Sequence, residues 1–173
     1  MNMISDLYRF DLNVTRKCYK LRLYPSLMRF TCAISRSGDG YLQVVIPLLC
    51  WLIWPADAYL YMLTVGFAFV FERCLYVALK NTLKRRRPAD VIPYFNSIIC
   101  ASDHFSFPSG HTMAAFLFAG ISSYFFPHAS IFLYLWAGGV GVSRVVLGVH
   151  FITDIIAGAI LGSVIALSAL MLI

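Results

Sequence analysis

The chain has 173 residues, of which 60% are hydrophobic and only 13% charged, with a formal charge of +6. That length suits one domain, spanning 1–173, and a mean hydropathy of +0.76 exceeds what a soluble core requires. The apolar runs are continuous rather than alternating, which excludes a membrane β-barrel, and so apolar a chain is no candidate for nucleic-acid binding. The expected fold class is all-α: a polytopic membrane helical bundle of about five transmembrane helices, preceded by an N-terminal amphipathic interfacial segment.

Residues 1–40 form that segment. Ile4, Leu7, Tyr8 and Leu12 fall near helical spacing, and Arg9, Arg16, Lys17, Lys20, Arg22, Arg29 and Arg36 supply basic charge suited to anionic headgroups. Pro25 is expected to break the helix, and Ser35–Gly40 reads as a turn. Charges interrupt the first twenty residues, so no signal peptide is expected there. The bundle proper, 41–173, starts with a short span near Tyr41–Trp54, which needs thinning, tilt or the interfacial Trp51 and Trp54 to suit a bilayer. Pro55-Ala56-Asp57 reads as a turn. A second span covers Ala58–Leu83, and a polar loop runs from Lys84 to Ser106. A third span covers Ser109–Phe126, ended by Pro127-His128. A fourth covers Ile131–Val146, and the last starts near His150. The cysteines, Cys18, Cys32, Cys50, Cys74 and Cys100, show neither a C-x-x-C pair nor metal-ligand spacing, and disulfides are not expected.

Polar chemistry gathers in three stretches, which this span order places on one membrane face. The first is Lys80–Pro88 (KNTLKRRRP). Lys80 and Arg87 share a face if the helix persists, although Pro88 sets Arg87 at its exit. Together they suit a phosphate, Lys as a point charge and Arg through its bidentate fork; a basic cluster contacting lipid headgroups is the other reading. Lys84, Arg85 and Arg86 fit headgroup contacts better. The second stretch is Phe107–His111 (FPSGH). Ser109 is a good N-cap, Gly110 allows close backbone approach to an anion, and His111 can donate a proton; an ordinary capped helix start is the alternative. The third is Ser143–Asp154 (SRVVLGVHFITD). His150 and Asp154 lie four apart, so the carboxylate can hold one imidazole nitrogen and leave the other as a nucleophile, unless the pair is purely structural. Gly148 permits a bend bringing Arg144 to the same anion. Glu72, one helical repeat before Tyr76 and Lys80, is expected to face the bundle interior and pair with Arg73 or another span.

In this order and at these spacings, the residues resemble the type-2 phosphatidic acid phosphatase superfamily, which includes vanadium haloperoxidases and glucose-6-phosphatase. Its pattern is Lys-x6-Arg-Pro, Pro-Ser-Gly-His and Ser-Arg-x5-His-x3-Asp. The resemblance implies that His150 attacks phosphorus, Asp154 orients it and His111 protonates the leaving oxygen. Lys80, Arg87, Arg144, Ser109 and Gly110 would hold the phosphate oxygens, and no metal or other cofactor would be needed. It further implies a hydrolase acting on a phosphorylated membrane lipid, with undecaprenyl diphosphate the first candidate. Phosphatidylglycerophosphate, phosphatidic acid and lipid A phosphates follow. A vanadate-dependent haloperoxidase and a non-catalytic lipid-binding protein are the remaining alternatives. The implied location is the bacterial inner membrane, with the site facing the periplasm or outer surface. The N-terminal basic residues argue for the opposite face through the positive-inside rule.

Overall fold

The computed structural model describes residues 3–101 and 103–173. The side chains of Ile4, Arg22 and Asp57, expected on the amphipathic face, in the basic cluster and in a turn, lie outside the described part. The described chain is all α-helical: α1 (Met3–Tyr19), α2 (Pro25–Ser37), α3 (Tyr41–Ile53), α4 (Pro55–Leu83), a single-turn α5 (Pro88–Val91), α6 (Gly110–Phe125), α7 (Ser130–Val146) and α8 (Ile152–Leu170). Proline punctuates the order. Pro25, Pro55 and Pro88 each occupy the start of a helix, where the missing N–H costs nothing. Pro55 therefore begins α4 directly, and no turn occupies Pro55-Ala56-Asp57. Likewise α2 runs through Ser37, so the expected turn shrinks to Gly38–Gly40.

Three helical stretches, Ala58–Val91, Pro127–Val146 and Ile152–Leu170, are long and apolar enough to cross a membrane. The 13-residue α3 and the 16-residue α6 are shorter. Along α8, Ile156, Ile160, Val164 and Leu167 are exposed one turn apart, an apolar stripe that water would penalise and lipid would accept. The opposite faces make the core: Tyr61, Val65 and Ala68 of α4 meet Met113, Leu117, Phe118 and Ile121 of α6 and Ile165 and Ala166 of α8. Small residues set the α6–α8 spacing. A Cβ on Gly158 would stand 2.7 Å from the Ser109 carbonyl oxygen, and one on Gly162 would stand 2.2 Å from that of Met113. These two glycines, four apart, bring the backbones together as small-residue pairs do between membrane helices. The N-terminus of α8 is thereby seated on that of α6, where the Ser109 N–H donates to the Asp154 carbonyl at 3.1 Å.

Candidate active site

Lys80 lies in the last turn of α4, which ends where Lys84 enters the left-handed region at φ 46°. Arg87 is extended, so it does not share a helix face with Lys80. The two meet across the loop instead. Lys80 Nζ donates to Asp103 Oδ1 at 2.6 Å and to the Phe105 carbonyl. Arg87 Nη2 also bonds Asp103 Oδ1, its Nε donates to the Asp103 carbonyl at 3.1 Å, and its Nη1 donates to the Val149 carbonyl at 2.6 Å. Tyr76 donates its hydroxyl to Asp103 Oδ2. The cationic pair thus closes on an anion supplied by the chain itself. Burial alone would raise the Asp103 carboxyl, but hydrogen bonds from Lys80 and Tyr76 and the Lys80 and Arg87 charges hold it down to about 2. Asp103 is the outermost member, with its side chain 31% exposed against 6% for Lys80 and 10% for Arg87.

Ser109 occupies the N-cap position of α6, yet its hydroxyl makes no capping bond and pairs with the Thr112 hydroxyl at 2.9 Å. Gly110 is needed for a neighbour: a Cβ there would stand 2.6 Å from the Tyr76 ring. His111 follows at the mouth, its Nε2 2.9 Å from Asp39 Oδ1.

Gly148, at φ 78°, turns the chain between α7 and α8. The Val149 and His150 N–H groups donate back to the Arg144 carbonyl, folding the loop onto the end of α7. His150 is buried and adjoins Val149, the residue Arg87 grips. Its Nδ1 is 3.6 Å from Asp154 Oδ2, an electrostatic contact longer than a hydrogen bond. Burial pushes the His150 imidazole down to about 4 despite the opposing pull of Asp154. Asp154 is divided among three tasks. Oδ2 accepts the Phe151 N–H at 2.8 Å, closing the first turn of α8, and also faces His150; Oδ1 takes Arg85 at 2.5 Å. Arg144 Nη1 donates to Ser35 Oγ at 2.8 Å, and its Nε has no hydrogen-bond partner among the described residues.

Arg85 is therefore no headgroup contact. Its guanidinium joins Asp154 to Asp11 of α1, and Asp11 also accepts from the Thr153 N–H at 3.1 Å and the Thr153 hydroxyl at 2.6 Å. Glu72 is fully buried, as expected, with Arg73 at 3.8 Å. Sequence reasoning passed over Asp11, Asp39 and Asp103 as site members. A signal existed: the chain has only eight acidic residues, and these three and Asp154 gather at one end of the bundle. Among the described residues, no group of three or more His, Cys, Asp or Glu side chains could hold a metal ion.

Two cavities open here. One, of about 410 Å³, is bordered by Arg36, Asp39, His111 and Arg144. The other, of about 490 Å³, runs between α3, α4 and α6 and is bordered by Val44, Pro47, Leu48, Met62, Val65 and Phe69. Asp39 and His111 border both.

This bundle and its signature residues define a membrane protein of one family. The PAP2 superfamily model matches residues 61–173, and the chain belongs to that superfamily. It is 39% identical over 105 residues to phosphatidylglycerophosphatase B of Bacillus subtilis (strain 168), a match covering 54% of this chain and 49% of that protein. It is 32% identical over 118 residues to the bacitracin transport permease protein BcrC of Bacillus licheniformis, covering 68% and 58%. The chain thus spans about half the length of the B. subtilis relative. Among solved structures, Aquifex aeolicus LpxE superposes with a TM-score of 0.79 at 27% identity, covering 94% of this chain and 95% of that one. The transmembrane PAP2 type phosphatidylglycerolphosphate phosphatase from Bacillus subtilis superposes with a TM-score of 0.76 at 27% identity, covering 96% and 86%.

Proposed function

We propose that this protein is a membrane lipid phosphatase working through a phosphohistidine. The observation that carries the reading is the junction of two unlike spaces at His111. On one side lies a polar cavity bordered by Arg36, Asp39, His111 and Arg144, the last of which acts with Arg87 on the buried His150; on the other lies an apolar cavity among helices that can lie in lipid. A phosphorylated headgroup suits the first space and its hydrocarbon the second. The incoming phosphate takes the place of the Asp103 carboxylate at Lys80 and Arg87, with Arg144, the Ser109 hydroxyl and the Gly110 N–H completing the oxyanion cradle. With Nδ1 turned to Asp154, His150 Nε2 is the nitrogen left to attack phosphorus. His111 protonates the departing oxygen, and water then cleaves the phosphohistidine. The five-span count rests on the same reading: α3 and α6 join the three longer helices in the bilayer.

Among substrates we place phosphatidylglycerophosphate first, because the 39% identical relative carries that activity in its name. Undecaprenyl diphosphate, phosphatidic acid and lipid A phosphates follow. The test is phosphate release from purified protein in detergent, across a panel of these lipids. The expected result is turnover of at least one lipid and loss of at least about 1000-fold in a His150→Ala variant. A panel on which wild type and His150→Ala are equally inert refutes the reading.

A further inference from the structure

The His111 imidazole has a partner outside every signature stretch. We propose that Asp39, in the turn between α2 and α3, is the positioning residue for His111, orienting its ring and favouring its protonated form as the leaving oxygen departs. The inference rests on the reading of His111 as the general acid.

The turn is fastened from several sides. Gly38 lies so close to α7 that a Cβ would stand 2.7 Å from Val140 Cγ1, and Gly40, at φ 107°, adopts a conformation that favours glycine. Just before it, Ser37 accepts from Trp136 Nε1 at 2.8 Å, and Ser35 accepts from Arg144 at 2.8 Å. A two-glycine turn pinned to α7 at Ser35, Ser37 and Gly38 holds its one acidic side chain against His111 at 2.9 Å. The charged groups around that ring are Asp39 from the turn, Asp103 from the loop before α6 and Arg144 from α7. Arg36 of α2 borders the same cavity, and Tyr76 of α4 packs on neighbouring Gly110. Asp39 alone of these is in hydrogen-bond contact with the imidazole among the described residues.

The chemistry follows from which nitrogen is occupied. Asp39 accepts from Nε2–H, which leaves Nδ1–H to be given away. As His150 forms the P–N bond, the P–O bond to the lipid breaks with its electron pair on oxygen. That oxygen takes the Nδ1 proton, and the neutral ring stays bonded to Asp39 through Nε2–H. In the second half, water adds to phosphorus, its proton passes to Nδ1, and the P–N pair returns to His150. Both atoms and charge return to their starting state.

A general acid matters most when the leaving group is a poor one. The test compares kcat/KM on an alkyl phosphate, phosphatidic acid in detergent micelles, with that on p-nitrophenyl phosphate. Asn at 39 keeps an acceptor for Nε2–H and removes only the charge. Asp39→Asn is expected to lose roughly 10- to 100-fold on the alkyl ester but less than about 3-fold on the aryl ester. Its alkaline limb on the alkyl ester should move to lower pH, Asp39→Glu should recover part of the loss, and inhibition by inorganic phosphate should stay unchanged. Equal losses on both esters with an unmoved pH profile, or no loss on either, would overturn the proposal. Wild type inert on every lipid of the panel refutes the phosphatase reading itself. A His111→Ala variant without leaving-group dependence removes the acid role on which Asp39 depends, and the proposal with it.

Discussion

The nucleophile proposed for this site must be unprotonated, and burial gives His150 that state. Its environment brings the imidazole from an ordinary value of 6.5 down to about 4, with Asp154 pulling the other way and Arg87 and Arg144 adding to the fall. The sign follows directly. Above about pH 4 the ring is neutral and free to take the proposed role, and as pH falls through 4 it gains a proton and loses that capacity. The acid limb of kcat/KM assigned to His150 should therefore lie near pH 4, not near 6.5. A limb at 6 or above that survives replacement of His111 would contradict this. Asp103 behaves as a depressed carboxylate: its contribution to folded stability is present above its ordinary 3.8 and is lost as pH falls towards 2. Both groups thus keep their working charge states throughout the neutral range. The same scale holds the clearest departure from expectation. Arg85 looked like one more surface cation in a run of four basic residues, and only the fold reveals that two carboxylates converge on it.

Helices were the most legible feature, because proline and the apolar runs mark their ends. The expected spans Tyr41–Trp54 and Ala58–Leu83 compare with α3 at Tyr41–Ile53 and α4 at Pro55–Leu83. What periodicity could not supply was how closely two helices approach. Gly158 and Gly162 lay unremarked in the last span, yet they carry the contact that seats α8 on α6. The obstacle at Gly162 is backbone, the Met113 carbonyl oxygen at 2.2 Å and the Leu117 nitrogen at 3.0 Å, which cannot swing aside as a side chain would. Gly162→Ala should destabilise the protein by about 1–3 kcal/mol and lower activity, because the Ser109–Asp154 backbone bond ties the site to that interface. Gly138, with nothing within 4 Å of a Cβ, is the control: Gly138→Ala should leave the midpoint of thermal unfolding in detergent unchanged or raised. Equal effects of the two substitutions would show that helix spacing is not the cause.

Across the whole molecule, the three signature stretches were readable because residues separated by short, fixed intervals carry them. Asp11, Asp39 and Asp103 were not, since each acts through a partner that only the folded chain supplies. Asp11 is the extreme case, with Thr153 142 positions away. It also changes what the N-terminal segment is. As an interfacial helix alone, α1 would need lipid to matter. As built, its one fully buried carboxylate accepts from the first turn of α8 and from Arg85, which in turn holds Asp154 beside His150. Asp11→Ala leaves Arg85 with a single carboxylate and the Thr153 groups without their acceptor. Loss of charged hydrogen bonds of this kind costs about 1.5–3 kcal/mol each, softened here because Arg85 keeps Asp154. The expected outcome in detergent, where no bilayer surface exists to bind, is a lower unfolding midpoint and a fall in kcat larger than any change in KM. The reason is that the chain of contacts ends at Asp154, the carboxylate proposed to orient the nucleophile, not at the proposed phosphate clamp. Unchanged stability and kcat in detergent, with a defect appearing only in vesicles of anionic lipid, would return α1 to the role of a surface anchor.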